Sequence, residues 1–262
     1  MLSLHHGDCL EVMKDIPDKS VDLIICDLPY GCLSSKTLEF KHECPTSVKR
    51  ISGCAWDVPI DLDAFWTQVR RIRKDDHTPT IHFCTTRFGY DLIRSNEKEF
   101  RYDVVWDKQR GVSFLSANKM PMRSHEMIYV FSKAGANYYR KDIEGDFPRS
   151  LVSKKVMERK TITGQLVPKI LKDNTGKRCA LSVINNINKY SNDRVNKQHP
   201  TQKPMELYRW LIERYSKEGD TILDPTFGSG NSVFTAVQLG RNAIGIEKDK
   251  VFFDKANASI SE

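Results

Sequence analysis

Residues 221–232 read TILDPTFGSGNS. The apolar run Thr221–Asp224 predicts a buried strand, and helical periodicity begins at Ser232. Gly228 and Gly230 lie between the two, where a missing side chain lets a ligand approach the backbone and the helix start offers free N–H groups. A strand, a glycine-rich turn and a helix in this order are typical of a nucleotide-type pocket in an α/β fold, although a plain strand–helix connection would need no ligand.

An acidic partner for this turn ends the next predicted strand, Ala243–Glu247, 17 residues after Gly230. The Glu247 carboxylate can accept hydrogen bonds from both hydroxyls of a ribose. A triphosphate site would need Gly-Lys followed by Ser or Thr, but Asn231 follows Gly230, and a dinucleotide site would need a third glycine that this sequence lacks. The pattern therefore favours S-adenosylmethionine, which has a ribose but no phosphate, and whose ammonium group Asp224 can hold.

Strand and helix patterns alternate along the rest of the chain. Short apolar runs predict further strands, and apolar residues at three- and four-residue spacing predict helices. The predicted strands are Val21–Cys26, Thr80–Cys84, Tyr102–Trp106 and Met127–Phe131. The predicted helices are Leu62–Ile72 with Asp61 or Asp63 as its cap, Phe88–Asn96, Met205–Lys217, Ser232–Leu239 and Val251–Ser259. This alternation predicts an α/β fold whose mostly parallel sheet is covered by helices on both faces.

Positive charge is concentrated between the two halves of this pattern. The chain has 41 Lys and Arg against 34 Asp and Glu, a net charge of +7. The segment from Lys133 to Lys197 alone holds 15 of the basic and 6 of the acidic residues. A basic surface suits a polyanion such as DNA, because neutralised phosphates release their counterions. The segment is therefore predicted to present a DNA-binding surface, with a solvated surface insertion as the alternative.

The composition restricts the class of protein. The chain has 262 residues, 39% of them hydrophobic, and a mean hydropathy of −0.50. No apolar run reaches the roughly 18–20 residues of a membrane span, and the N-terminus does not resemble a signal peptide. The seven cysteines are odd in number, which favours free thiols in the cytoplasm. Cys32, His42, Cys44 and Cys54 match no common zinc spacing, so no metal site is expected.

A second turn lies at the carboxyl end of the Val21–Cys26 strand, where parallel sheets hold their ligands. It reads Asp27-Leu28-Pro29-Tyr30. The exocyclic amino group of a DNA base is a poor nucleophile, and its nitrogen must become pyramidal while positive charge develops. The Asp27 carboxylate and the Pro29 carbonyl can accept its N–H groups, and the Tyr30 ring can stack on a base turned out of the duplex. Taken alone, such a turn is also compatible with no chemistry.

The two turns, in this order, resemble the motifs of the β-class amino-methyltransferases of DNA. In that family an acid–proline–tyrosine motif comes early, a target recognition region follows and a glycine-rich cofactor motif comes late, which is a circularly permuted order of a Rossmann-like methyltransferase fold. Here the order is Asp27–Tyr30, the basic segment, and Phe227–Gly230. The resemblance implies a catalytic half at 1–132, a small inserted target recognition region at 133–198 and a cofactor-binding half at 199–262.

The resemblance also assigns residues to the site. It implies that Asp27, Pro29 and Tyr30 are catalytic. It implies that S-adenosylmethionine is contacted by Asp8, Cys9, Asp27, His199, Thr201, Lys203, Asp224, Phe227, Gly228, Ser229, Gly230, Asn231 and Glu247. Lys203 is expected near the cofactor carboxylate. The sequence departs from the family pattern at Leu28, where proline is more frequent, and at Thr226, Phe227 and Asn231.

Together these features predict an enzyme that uses S-adenosylmethionine to methylate N6 of adenine in a flipped-out base of double-stranded DNA. The aspartate at position 27 favours adenine, because cytosine-N4 members of the family more often begin this motif with serine. A cytosine-N4 enzyme and a catalytically inactive DNA-binding relative are the alternatives. The resemblance also allows a homodimer and a cognate restriction enzyme as partners, in a prokaryotic cytoplasm or encoded by a phage.

Overall fold

The computed structural model describes residues 1–30, 58–112, 114–144, 159–160, 166–167, 177–188 and 202–260. Two compact units are present. The first, which is called the main unit below, comprises residues 1–139 and 182–262. The second comprises Arg140–Leu181.

The elements of the described residues alternate much as the sequence predicts. The strands are β1 (Leu2–His6), β2 (Leu23–Cys26), β3 (Thr80–Cys84), β4 (Phe100–Val112), β5 (Arg123–Phe131), β6 (Ile143–Glu144), β7 (Arg159–Lys160), β8 (Leu166–Val167), β9 (Lys177–Arg178), β10 (Val183–Ile184), β11 (Thr221–Asp224) and β12 (Asn242–Glu247). The helices are α1 (Cys9–Val12), α2 (Leu62–Ile72), α3 (Thr86–Ser95), α4 (Met205–Tyr215), α5 (Asn231–Gln238) and α6 (Lys250–Ala258).

The main unit is built on one sheet with the strand order β1-β12-β11-β2-β3-β5-β4-β10. Every neighbouring pair is parallel except those of β5, which runs antiparallel to both β3 and β4. β2 shows how the strands serve two faces, because successive side chains point to opposite sides. Leu23 and Ile25 pack into a cluster with side chains of α4, α5 and α6, whereas Ile24 and Cys26 pack with side chains of α1, α2 and α3. The predicted α/β fold, a mostly parallel sheet with helices on both faces, is confirmed.

The structure differs from the sequence prediction at β4 and β5. The patterns at Tyr102–Trp106 and Met127–Phe131 suggested two more short parallel strands. The observed strands are 13 and 9 residues long and form an antiparallel hairpin, since they are consecutive and joined by a short connection. Their extensions are exposed and polar, so apolar periodicity detects only the buried halves. The pattern also overlooked β1, which ends in His5 and His6.

Local capping fixes where two helices begin. The Asp61 side chain accepts hydrogen bonds from the backbone N–H groups of Asp63 and Ala64, at 3.0 and 3.1 Å, so Asp61 and not Asp63 caps α2. The Thr85 hydroxyl caps α3 by accepting from Phe88 N. As a result α3 starts two residues before the predicted Phe88, and Thr85 is fixed directly after β3.

The second unit contains two short antiparallel pairs, β6 with β9 and β7 with β8. It falls within the predicted segment 133–198, but its part in target recognition stays a prediction. None of the described helices is long and apolar enough to span a membrane.

Gly245 on β12 is predicted to tolerate no side chain. A Cβ there would lie 2.7 Å from Phe227 Cδ1, 2.9 Å from Leu4 Cδ2 and 3.1 Å from Val233 Cγ1. Because these side chains are packed against the sheet, Gly245→Ala should lower the free energy of unfolding by about 1–3 kcal/mol, the usual cost of overpacking. Urea unfolding measures this change. The matched control is Gly135→Ala, where a Cβ meets nothing within 4 Å, and an equal loss in both variants would contradict the packing argument.

Candidate active site

A cavity of about 650 Å³ opens at the carboxyl end of the parallel strands. Its wall includes the residues that follow β1, β2 and β11, together with Glu247 at the end of β12 and the stem of the β4–β5 hairpin. Carboxyl ends of neighbouring parallel strands converge at one edge of a sheet, and this geometry brings the turn after β2 next to the turn after β11.

The turn after β2 is anchored by its second residue. The Leu28 side chain is 1% exposed and belongs to the apolar cluster beneath α1, α2 and α3. Its neighbours Asp27, Pro29 and Tyr30 are only partly buried and line the cavity. Burial of Leu28 therefore fixes the turn and presents the flanking side chains to the cavity, which gives Leu28 a packing role that the sequence did not reveal.

Tyr30 is held by three contacts. Its hydroxyl donates to Asp27 Oδ1 at 2.8 Å, and its ring lies 5.0 Å from the ring of Phe88 at an interplanar angle of 33°. A more distant hydrogen bond, 3.3 Å, joins the hydroxyl to Glu126 Oε1. The ring is thus fixed beside the carboxylate, with Phe88 of α3 packed against it.

A buried ammonium group joins two carboxylates beside this turn. Lys203 Nζ lies 2.6 Å from Asp27 Oδ2 and 3.0 Å from Glu126 Oε1, and the Lys203 side chain is 6% exposed. Lys108 Nζ binds the other oxygen of Glu126 at 2.6 Å. The four groups form a chain of alternating charge, Asp27–Lys203–Glu126–Lys108, with no net charge. This chain is called the charge network below.

The network sets the protonation of its members. Burial raises the pKa of the Asp27 carboxyl, and the negative charge of Glu126 adds to this, while Lys203 opposes both. Burial would also raise the pKa of Glu126, but Lys203 and Lys108 outweigh it and hold that pKa at about 2. Burial would lower the pKa of Lys203, yet the two carboxylates raise it above its ordinary value. Glu126 is therefore the fixed anion of the network, and Asp27 is the carboxylate more ready to take a proton.

The other end of the cavity is organised around Glu247. Its Oε2 accepts a hydrogen bond from Gly228 N at 2.9 Å, and its Oε1 accepts one from Asp249 N at 2.7 Å. Burial raises the pKa of Glu247, and the two N–H groups oppose that rise. Each carboxylate oxygen retains a further lone pair, so Glu247 can still accept hydrogen bonds from a diol in the cavity.

Asp8 lies on the same side of the cavity. Its Oδ1 accepts from Leu10 N at 3.0 Å, which caps α1, and its Oδ2 binds Lys248 Nζ at 2.9 Å. Lys248 directly follows Glu247. Through Lys248, Asp8 is therefore linked to the end of β12, where Glu247 also lies. Phe227 and Phe252 add apolar surface to this part of the wall.

Three predicted ligand residues lie behind the cavity wall. Asp224 is 1% exposed and accepts from Thr226 N and from the Ser232 hydroxyl. Burial raises its pKa to about 7. Gly230 has a φ of +83° at the start of α5, and Asn231 donates through Nδ2 to the Lys203 carbonyl at 2.8 Å. These residues shape the turn after β11 and fix the segment that carries Lys203.

The structure brings most of the predicted site residues together around the cavity. The predicted residues that line the cavity are Asp8, Cys9, Asp27, Pro29, Tyr30, Lys203, Phe227, Gly228, Ser229 and Glu247. His199, Thr201, Cys32, His42, Cys44 and Cys54 lie outside the described residues. Within the described part of the chain, no group of three or more His, Cys, Asp or Glu side chains could hold a metal ion. Contacts of all these residues to a ligand stay predictions.

The sequence interpretation missed Glu126 and Lys108. In the structure His125 is exposed at the cavity, whereas Glu126 is 8% exposed and binds two ammonium groups. In the sequence, Lys108 and Glu126 are only a lysine and a carboxylate next to apolar strand patterns. This does not reveal that their side chains face one another.

Glu126→Gln should destabilise the fold. The substitution leaves the buried ammonium of Lys203 and the half-buried ammonium of Lys108 with Asp27 as the one remaining carboxylate in the network, and breaking a buried ion pair costs about 3 kcal/mol. Urea unfolding at pH 7 measures the loss. Glu11→Gln is the matched control, because Glu11 pairs with Lys14 on an exposed surface where ion pairs contribute little.

The same comparison has a defined pH dependence. The pKa of Glu126 is about 2 in the folded state and 4.5 ordinarily, so its ion pairs stabilise the fold above pH 4.5 and lose this effect as the pH falls toward 2. The difference between wild type and Glu126→Gln should therefore narrow below pH 4.5. A constant difference down to pH 2.5 would show that charge is not its origin.

Comparison with known families adds an independent finding. A family model for N6/N4 methyltransferases, described as DNA methylase, matches residues 21–258. The match includes both the turn after β2 and the turn after β11.

Individual proteins show the same likeness. The chain is 29% identical to the Type II methyltransferase M.HinfI of Haemophilus influenzae over 272 aligned residues, which cover 98% of this chain and 67% of that protein. Among solved structures, the fold is similar to the M1.HpyAVI–SAM complex, with a TM-score of 0.61, 20% identity and full coverage of both chains. It is also similar to PvuII DNA methyltransferase (cytosine-N4-specific), with a TM-score of 0.64, 15% identity and coverage of 98% and 85%.

Proposed function

The chain belongs to the N6/N4 family of DNA methylases, and from that premise we propose that it transfers the methyl group of S-adenosylmethionine to N6 of adenine in double-stranded DNA. The observation that carries this proposal is the position of the Asp27 carboxylate. It lies on a fixed turn beside Tyr30, in the same cavity as the carboxylate of Glu247.

The Glu247 end of the cavity fits the cofactor. Glu247 would accept hydrogen bonds from the ribose hydroxyls, because Gly228 N and Asp249 N already orient its carboxylate. Asp8 would contact the adenine ring, and Phe227 and Phe252 provide apolar surface for it. The bound cofactor supplies an electrophilic methyl group on sulfur. A volume of about 650 Å³ is within the range of small-molecule sites, and the lining of the cavity includes both Glu247 and Asp27.

The Asp27 end fits an exocyclic amino group. Lys203 and Tyr30 each donate to one oxygen of Asp27, so the carboxylate has a fixed direction and retains a free lone pair on each oxygen. Asp27 and the Pro29 carbonyl would accept the two N–H groups of the amine and stabilise the positive charge that develops on its nitrogen. The proton that the amine releases would pass to Asp27, whose pKa burial raises, and then to water.

The charge network supports this role of Asp27. With Glu126 held as an anion by Lys108, the ammonium of Lys203 stays between the two carboxylates and prevents the Asp27 side chain from turning away. Lys203 was expected near the cofactor carboxylate, and we propose instead that it positions Asp27. Such fixed orientation contributes to rate because the reacting groups need not be reordered.

Further parts of the proposal rest on the resemblance alone. We infer that the 133–198 segment recognises the target sequence and that the protein acts in the cytoplasm. A second copy of this chain and a cognate restriction enzyme are the partners that we propose to test.

Methyl transfer to DNA tests the proposed function. The protein is incubated with mixed-sequence duplex DNA and S-adenosylmethionine labelled in its methyl group, and the DNA is digested to nucleosides. We expect the label in N6-methyladenine, because the motif begins with Asp27. Label in N4-methylcytosine alone would replace adenine by cytosine as the target. Absence of label from DNA would contradict the methyltransferase proposal. Sequencing of the product maps the modified site.

Asp27→Asn separates chemistry from cofactor binding. The variant keeps the shape of the side chain but loses the negative charge that faces the amine, so its kcat should fall at least about 100-fold, as for other groups that stabilise transition-state charge. Its affinity for S-adenosylmethionine, measured by titration calorimetry, should change less than about threefold. Asp91→Asn, at an exposed position of α3, is the control and should keep full activity. Full activity of Asp27→Asn would refute the proposed role.

A further inference from the structure

The tip of the β4–β5 hairpin, residues 114–122, exposes large apolar side chains. Phe114 is 78% exposed, Leu115 80%, Met120 56% and Met122 39%. Four such side chains occur in no other stretch of nine described residues. Single exposed apolar residues need no explanation, but a cluster on a projecting tip marks a surface that binds something.

The stem of the same hairpin forms part of the wall of the active-site cavity. Lys108, Val112, Arg123 and His125 all line the cavity, and Lys108 belongs to the charge network. The tip is therefore connected to strands that line the cavity with Asp27, where the proposed function places a nucleic acid.

The charge of the hairpin indicates the kind of partner. Residues 108–125 contain Lys108, Arg110, Lys119 and Arg123 and no Asp or Glu. The hairpin sequence on both sides of the apolar tip is therefore basic. An apolar tip surrounded by positive charge complements the stacked bases and phosphates of DNA, because phosphates attract the basic residues and apolar groups can enter the base stack.

Contacts within the hairpin and with the rest of the main unit hold the hairpin in place, so the tip has a defined position. A Cβ on Gly111 would lie 2.6 Å from Met122 Cε, which shows that Met122 at the end of the tip packs closely against β4. Arg123 Nη2 donates to the Thr86 hydroxyl of α3 at 3.3 Å, and Gln109 Nε2 donates to the Asn185 carbonyl. At the tip, Phe114–Ser116 form one turn of 3-10 helix, closed by Ala117 N and the Phe114 carbonyl at 2.9 Å.

We propose that this tip is a wedge that enters the base stack of duplex DNA and stabilises the extruded state of the target base. The proposal rests on the proposed function, since it assumes a duplex substrate whose base reaches Asp27. Extrusion of a base breaks its pairing and stacking, which opposes the reaction. Phe114 and Leu115, as the most exposed members of the tip, would fill the gap and replace part of the lost stacking.

The test compares Phe114→Ala, and the double variant Phe114→Ala/Leu115→Ala, with wild type on two substrates. One is a duplex that carries the mapped methylation site. The other is the same duplex with an abasic residue opposite the target base, where extrusion breaks no base pair. Val237→Ala, an exposed apolar position on α5, is the matched control.

We expect kcat/KM of the double variant to fall about 10- to 100-fold on the paired duplex and less than about threefold on the abasic duplex. Extrusion costs a few kcal/mol in the paired duplex and less where no base pair is broken, so the extruded state of the abasic duplex depends less on the wedge. A 2-aminopurine at the target position of the paired duplex should brighten with wild type and less so with the variants. Val237→Ala should match wild type throughout.

Several outcomes would overturn the wedge. An equal loss on both substrates would mean that the tip contributes only affinity or folding. Unchanged activity on the paired duplex would mean that it contributes nothing to extrusion. A shift of the variants from dimer to monomer in light scattering, with unchanged 2-aminopurine fluorescence, would identify the tip as a contact between copies. If wild type itself transfers no methyl group to DNA, the proposed function fails; if wild type is active, these outcomes concern the wedge alone.

Discussion

The buried ammonium of Lys203 is the contact on which the site depends. Withdrawal of an ammonium from water costs several kcal/mol, and only well-placed partners offset this cost. Its two partners are Asp27, which follows β2, and Glu126 on β5, while Lys203 itself precedes α4. Three distant parts of the chain must therefore meet at one point. They do so only if β2, β3 and β5 adopt the observed order, so the ion pairs and the sheet topology require one another.

The two ends of the cavity are supported by both local and distant contacts. At one end, the carboxylates of Asp8 and Glu247 accept from backbone N–H groups of their own turns, and Glu247 also accepts from Gly228 N in the turn after β11. At the other end, Asp27 is oriented by Tyr30 of its own turn and by Lys203 from a distant segment. The contacts within one turn need only local sequence. The contacts with Gly228 and Lys203 require the completed fold, so the group proposed to act on the amine is fully positioned only in the folded protein.

The same distinction decides what the sequence could predict. The turns at Asp27–Tyr30 and Phe227–Gly230 were recognisable because strand, turn and helix signals are local, and the parallel sheet followed from their alternation. Glu126 and Lys108 were not recognisable, since their role depends on a contact between the two strands of the hairpin. Leu28 showed no function in the sequence because its contribution is burial beneath the turn. The antiparallel course of β5 was missed because a short buried strand has the same pattern in either direction.

The net charge of a segment has a similar limit as an indicator of a DNA-binding surface. Outside Lys133–Lys197 the acidic residues slightly outnumber the basic ones, which directed attention to that segment alone. Outside that segment, however, several acidic side chains bind basic ones, as Glu126 binds Lys108 and Lys203 and Glu99 binds Arg73. Residues 108–125 of the hairpin contain four basic residues and no acidic one. A DNA-binding surface can therefore lie in a part of the chain where acidic residues outnumber basic ones. In the proposed function the segment 133–198 would recognise the sequence, and the hairpin, built on the strands that hold Glu126 and Lys108, would stabilise the extruded base.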